Sequence, residues 1–481
     1  MRVLEHLEPA KVFQYFEDIC NIPHGSKNLD RISSYLENFA KERDLFCIRD
    51  EANNIIMVKE ATPGYEEVEP IMLQGHMDMV AVKKADCDID LMNDPLRLKV
   101  DGDFVYAEGT SLGGDDGIAV AYMLAILDSS DIAHPRIEAV ITTDEEIGMD
   151  GATVIDLSML KAKRMLNIDS EEEGIFLTSC AGGARVDCHV PVERTQQTGA
   201  LFEIKVSGLA GGHSGVEINK ERGNAIKMLG RVLKNAVAEV PFTIVEMTGG
   251  EKDNAIPREA MATVCISGGD TKRLEDKIAV LCDILKNENQ TKEKNLTVTA
   301  TGMGNQEVQA LTTEATKKVI DFLMLLPNGV IAMSADIAGL VETSLNVGVL
   351  ELGETEMVSY SAVRSSIETA KKHVMNQLAV LSQLCGGYTN TYGEYPGWQY
   401  DPDSKLRALM LDVYKEMFHE DAKVEALHAG LECGIMISKI PGLDCVSFGP
   451  NMFDIHTTEE RLSISSTERM WRYILALLSR K

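Results

Sequence analysis

The chain has 481 residues, with 47 Lys and Arg against 75 Asp and Glu, a formal charge of −28. That balance argues against a phosphate-backbone binder, whose affinity rests on clustered Lys and Arg, while 44% apolar and 25% charged residues is ordinary globular composition. The length exceeds what one core usually supports, so two domains are expected.

The chain opens MRVLEHLEPAKVFQYF, with charges and a proline where a secretory signal needs an unbroken apolar stretch. No run reaches the roughly 18 apolar residues of a membrane span; the best, near Phe322 to Leu326, stops at Pro327. The ten cysteines are scattered without a CxxC pair, as expected of buried thiols in a reducing compartment. The expectation is a cytoplasmic protein with neither membrane nor nucleic-acid partner.

Residues 1–184 alternate helical and strand patterns. Helices are predicted over Lys11 to Cys20, Leu29 to Ala40 and Ile118 to Leu127. Short apolar strands are predicted at Ile55 to Val58, Ile71 to Leu73, Ile137 to Ile141 and Met165 to Ile168. This alternation predicts an α/β domain, a mostly parallel sheet flanked by helices. From 185 the texture changes. Phe202, Ile204 and Val206 alternate with polar neighbours, as on a half-exposed strand. Ile226, Leu229, Leu233 and Val237 share one helix face, as do Leu274, Ile278, Leu281 and Leu285, and later Val374, Leu378 and Leu381. Strands are predicted at Ala262 to Ser267, Leu296 to Thr301, Ser344 to Leu352 and Met357 to Val363. Residues 185–395 therefore read as an inserted α+β domain. After the Gly-, Tyr- and Pro-rich stretch 386–398 the buried texture returns, with a helix near Leu406 to Met417, a strand at Cys445 to Phe448 and a last helix from Thr467. Residues 396–481 thus complete the first domain.

Five places put His, Asp or Glu directly after an apolar strand or in a glycine-rich turn, where open α/β sheets bind ligands. In IMLQGHMDMV, His76 and Asp78 are two apart and point to one side of an extended chain. In GTSLGGDDG, Asp115 and Asp116 precede a helix; taken alone, the motif reads first as a tight turn with an acidic N-cap. In AVITTDEEIGMDGA, Asp144, Glu145 and Glu146 follow a buried strand. Asp169 closes a strand in RMLNIDSEEEG, and His456 follows one in SFGPNMFDIHTTEE. Each is ambiguous, but the set is less so. Two histidines with Asp and Glu and no sulfur suit a pair of Zn²⁺, Mn²⁺ or Co²⁺ ions, with a neighbouring carboxylate free to move protons.

The order HMD, GGDDG, TTDEEIG, NIDSEEEG, GGHSG, NAIPRE, HAGLECG and GP…H resembles the dinuclear-zinc metallopeptidases related to carnosinase, glutamate carboxypeptidase and acetylornithine deacetylase. The resemblance covers essentially the whole chain. It implies that His76 and Asp169 hold one metal, Glu146 and His456 the other, and that Asp115 bridges them, with a non-proline cis peptide following it. It implies that Asp78 buttresses His76 and that Glu145 is the general base, taking a proton from a metal-bridging hydroxide's parent water and passing it to the leaving amine. The inserted domain would be a lid that also makes a homodimer. His213 (GGHSG) would hold substrate and the tetrahedral oxyanion, with Asn254, Arg364 and Gly430 as further substrate contacts; a guanidinium suits a free carboxylate.

Two residues depart from the pattern: Asp116 stands where Asn is expected, leaving Asp116 as an alternative bridge, and Asn219 stands where His is expected. The implied activity is a metal-dependent dipeptidase acting on dipeptides with a free N-terminus, Xaa-His among them. The alternatives are an N-acyl-amino-acid deacylase or carboxypeptidase of the same superfamily, or a metal-binding scaffold without catalysis.

Overall fold

The computed structural model describes residues 2–268 and 271–481. The chain divides into two compact units, Met1–Ser179 with Tyr400–Ala426 and Leu431–Lys481, and Cys180–Gln399 with Leu427–Gly430. The second unit therefore extends past the expected 185–395 at both ends. A strand occupies Gly182–Pro191, and Cys180 bridges to Trp398 just before it. The Ala181 N–H donates to the carbonyls of Leu427 and Ala429, which is why Leu427–Gly430 belongs with this unit rather than with the first, where Gly430 was expected.

The first unit is built on an eight-stranded sheet in the order Phe46–Arg49, Ile55–Lys59, Ile137–Thr142, Ile71–His76, Arg164–Asn167, Asp444–Ser447, Ile175–Cys180, Lys423–Leu427. The four central strands pair in parallel. The two at one edge run antiparallel because a short turn joins Phe46–Arg49 to Ile55–Lys59, and only antiparallel strands can be joined so tightly. Helix Gly114–Asp128 is buried from Gly114 to Leu127. It packs between helix Ala10–Cys20 and the central strand Ile71–His76, so it is apolar all round. The chain ends meet in this core: Phe176, Tyr414, Phe448 and Tyr473 form an aromatic cluster with centroids 5.6 to 6.2 Å apart, in the edge-to-face and offset arrangements that rings prefer.

The second unit is a nine-stranded antiparallel sheet, with helices Ala225–Val237, Thr271–Asn289, Thr313–Leu325 and Glu368–Leu384 contributing to its core. Stretch 386–398, read as a boundary, contains the edge strand Tyr388–Tyr395, paired with Gly182–Pro191. A Cβ at Gly387 would lie 1.8 Å from the His189 carbonyl oxygen, so only glycine permits this approach. The buried Lys371 ammonium donates to the Tyr395 carbonyl at 2.8 Å. Among the described residues no helix is long and apolar enough to cross a membrane.

Candidate metal centre

The central parallel strands of the first unit end at one place. His76 is the last residue of its strand. The turn Glu145–Ile147 follows Ile137–Thr142, and Asp169 lies two residues beyond Arg164–Asn167. Asp115 stands in the first turn of Gly114–Asp128 with non-helical backbone, and the peptide to Asp116 is cis.

These side chains converge. Asp115 Oδ1 is 3.2 Å from His76 Nε2 and Asp115 Oδ2 is 3.1 Å from His456 Nε2. Asp169 lies 3.4 Å from His76 Nε2, and Glu146 Oε2 lies 3.0 Å from His456 Nε2. Two sets of donor atoms each fall within 4.8 Å of one another: His76, Asp115 and Glu146, and His76, Asp116 and Asp169. Asp115 reaches both imidazoles. Asp116 reaches only the His76 side, its Oδ2 accepting the His76 backbone N–H at 3.2 Å.

Asp78 differs in detail from the expected buttress. It is the Asp78 backbone carbonyl that lies 2.9 Å from His76 Nδ1, while its carboxylate is 3.6 Å away. The carboxylate instead accepts the Ser26 hydroxyl at 2.8 Å and the Glu145 backbone N–H at 3.1 Å. One residue thus orients the imidazole through its carbonyl and the Glu145 turn through its side chain. Lys27 fixes the same turn from outside, its backbone N–H donating to Asp144 Oδ1 at 2.7 Å.

Crowded acids shift one another's titration. Burial, opposed by His76 and aided by Asp115 and Glu146, pushes Asp169 up to about 7. Burial also raises Glu145 well above the usual carboxylate range, with Asp169, Glu432 and Glu146 adding to it. Hydrogen bonds donated to the Asp115 and Glu146 carboxylates raise His456 to about 10. Glu146 Oε1 and Asp116 Oδ1 are buried without a hydrogen-bond partner. A donor set of nitrogen and oxygen, with surplus buried negative charge and unspent lone pairs, fits hard or borderline divalent cations.

Beneath the centre lies Glu432, fully buried, which sequence reasoning did not single out within HAGLECG. It accepts Gln74 Nε2 at 2.5 Å and the Thr142 hydroxyl at 2.6 Å, and Gln74 Oε1 accepts Asn167 Nδ2 at 2.5 Å. The network ties together the three strands that carry or lead into the candidate ligands.

Residues 72–480 match the model of peptidase family M20/M25/M40. The chain belongs to this family. Over 480 residues this M20 chain is 37% identical to the cytosol non-specific dipeptidase of Escherichia coli (strain K12), covering 99% of both. It superposes on the crystal structure of aminoacylhistidine dipeptidase from Vibrio alginolyticus with TM-score 0.94 and 36% identity, over 99% of this chain and 97% of that one. Its fold is also similar to that of aminopeptidase PepT from Bacillus cereus, with TM-score 0.55 and 14% identity over 98% of each chain.

In the second unit of the M20 chain, His213 Nδ1 accepts the N–H groups of Gly215 and Val216 at 3.1 and 3.2 Å. That acceptance assigns the proton of the neutral ring to Nε2, leaving a donor. A Cβ at Gly215 would stand 2.9 Å from His213 Cε1, which explains the glycine in GGHSG. Asn254 is adjacent, its carbonyl accepting the Ser214 N–H at 2.9 Å. His213 and Asn254 both line a cavity of about 730 Å³.

Arg364 is half-buried and donates to the Tyr395 hydroxyl at 3.1 Å, while its Nε has no partner. No acidic side chain pairs with it among the described residues, so it is not the surface ion pair its sequence position would allow. Gly430 follows Ala429, whose carbonyl is fixed by Ala181. Asn219 is exposed.

His428 is buried with Nε2 2.7 Å from the Ser344 hydroxyl. Burial and the Arg364 charge push it down to about 3, against the Val341 carbonyl. A histidine kept neutral in the folded protein leaves the unfolded chain binding the extra proton between about 6.5 and 3. Its contribution to stability is therefore complete above the unfolded value and is lost as pH falls through that window, at about 1.4 kcal/mol per pH unit. His428→Asn is expected to flatten the pH dependence of the urea midpoint below 6.5. An unchanged slope would mean that His428 already titrates normally.

Proposed function

We propose that this M20 chain is a metal-dependent dipeptidase that hydrolyses dipeptides with a free N-terminus, Xaa-His among them. The observation that carries the reading is the Asp115 carboxylate, with one oxygen near His76 and the other near His456. His76 and Asp169 would hold one divalent ion, His456 and Glu146 the other, and Asp115 both; Zn²⁺ is the first choice, with Mn²⁺ and Co²⁺ as alternatives. When bound, such ions polarise the scissile carbonyl and ease deprotonation of water.

The remaining work belongs to side chains. Glu145 takes a proton from the attacking water and returns it to the departing amine. Asp78 holds the Glu145 backbone in place for that transfer. His213 offers its Nε2–H to the oxygen that gains charge as the carbonyl becomes tetrahedral. Arg364 pairs with the free carboxylate of the substrate, and Asn254 and Gly430 contact its backbone. The second unit acts as the lid and makes a homodimer. The name of the Escherichia coli relative supports a cytosolic location.

The test is a panel of free and N-acetylated dipeptides and acetyl-amino acids, assayed with metal-stripped protein after Zn²⁺, Mn²⁺ or Co²⁺ is restored. Free dipeptides are expected to be cleaved only with metal, and their N-acetylated forms far more slowly. Equal cleavage of both would overturn the dipeptidase reading, and preference for acetyl-amino acids would make the enzyme a deacylase.

A further inference from the structure

We propose that Glu460 is a positioning residue that fixes Asp115 against His456 and thereby sets metal affinity chiefly at the position that His456 shares. The inference rests on the dinuclear reading above. Glu460 is buried, 3% exposed. Its carboxylate accepts four consecutive backbone N–H groups: Oε2 from Leu112 at 2.7 Å and Gly113 at 3.1 Å, Oε1 from Gly114 at 2.8 Å and Asp115 at 3.4 Å. No Lys or Arg pairs with it among the described residues. The negative charge is held by peptide dipoles at the start of helix Gly114–Asp128, where an anion is stabilised.

The fit is close. Gly113 sits at φ +69°, and a Cβ on Gly114 would lie 3.3 Å from Glu460 Oε1. Both oxygens are occupied by N–H groups, so Glu460 does not itself serve as a ligand; it fixes the backbone from which the Asp115 side chain projects.

Its other attachment is to His456. Strands Met452–Phe453 and Arg461–Ser463 pair, with Phe453 opposite Arg461, and the intervening loop carries His456 at φ +60°. Glu460 is the last residue of that loop, its N–H near the Thr457 carbonyl at 3.4 Å. One carboxylate therefore joins the turn bearing Asp115 to the loop bearing His456. His76 ends one sheet strand and Asp169 lies just beyond another, and Glu460 makes no hydrogen bond to either among the described residues. The consequence is unequal: loosening Glu460 frees both Asp115 and His456 of one position but only the shared Asp115 of the other.

Glu460→Gln replaces one acceptor with an NH₂ that must face an N–H donor. Full-length protein, wild type and variant, would be stripped and titrated calorimetrically with Zn²⁺, with metal counted after desalting. Loss of an outer-sphere partner typically weakens metal binding about 10- to 100-fold. That loss is expected to be clearly larger in one of the two binding steps, with the thermal midpoint of the stripped protein nearly unchanged. Turnover should fall with little change in KM and recover at high Zn²⁺. Glu460→Asp, which keeps the charge, should restore part of the lost affinity, and it decides the matter if the Gln variant does not fold. Two unchanged binding steps, or equal weakening of both, would overturn the inference. A wild type that binds no metal would instead sink the dinuclear reading itself.

Discussion

Replacing Glu145 with Gln should lower dipeptide turnover about a hundred- to ten-thousandfold, the range in which a positioned acid–base group contributes, while leaving bound metal unchanged. The side chain belongs to none of the close donor sets around His76, so its loss removes no ligand. Gln preserves the size and leaves the backbone N–H that donates to Asp78, so the turn stays in place. What disappears is the ability to accept a proton from water and deliver it to the amine. Substrate affinity should change little, because the group acts in the transition state more than in the ground state. The measurements are steady-state kinetics and metal content on the same preparation. Turnover within a few-fold of wild type would mean that another group handles the proton.

Asp115→Asn should be the more drastic change. Asp115 is the side chain that lies within 3.2 Å of both His76 and His456. An amide can present its oxygen to one imidazole only; its NH₂ then faces the other, where a cation would be repelled. Bound metal should fall below that of wild type, and turnover should drop to background. A ligand that binds only the folded state at a hundredfold excess over its Kd stabilises by about 2.7 kcal/mol. Most of the thermal shift on adding Zn²⁺ should therefore vanish in this variant. Retention of the full shift and of two ions would point to Asp116 as the bridge, since it too lies in a donor set with His76 and Asp169.

Much of this architecture was legible because burial writes a period into the chain. Ile226, Leu229 and Leu233 are all fully buried on helix Ala225–Val237, and the unbroken apolar run after Ile118 marks a helix covered on every side. The candidate ligands were visible because acids at the ends of buried strands conflict with their surroundings. Exposed or short pieces left no such trace. Phe46–Arg49 is a four-residue edge strand of alternating exposure, and Tyr388–Tyr395 is mostly exposed, so neither carries an apolar signal. Partners that are backbone atoms are also silent in sequence. The Asp78 carbonyl on His76 and the N–H groups around Glu460 exist at every residue, and only folding selects which ones matter. Distance along the chain hides the rest: Gln74 and Glu432 share a hydrogen bond across 358 positions.

The circular course of the first unit bears on biosynthesis. Asp115 and His456 are 341 positions apart, and the aromatic cluster that seats Tyr473 draws on Phe176. On the ribosome, the second unit's continuous segment Cys180–Gln399 has its own sheet and core available before the metal centre has its last ligand. The candidate centre can therefore assemble only after His456 has emerged, late in synthesis. Fragments released short of His456 should accordingly neither retain metal at that position nor cleave dipeptides, which metal counting on stalled or truncated chains would check.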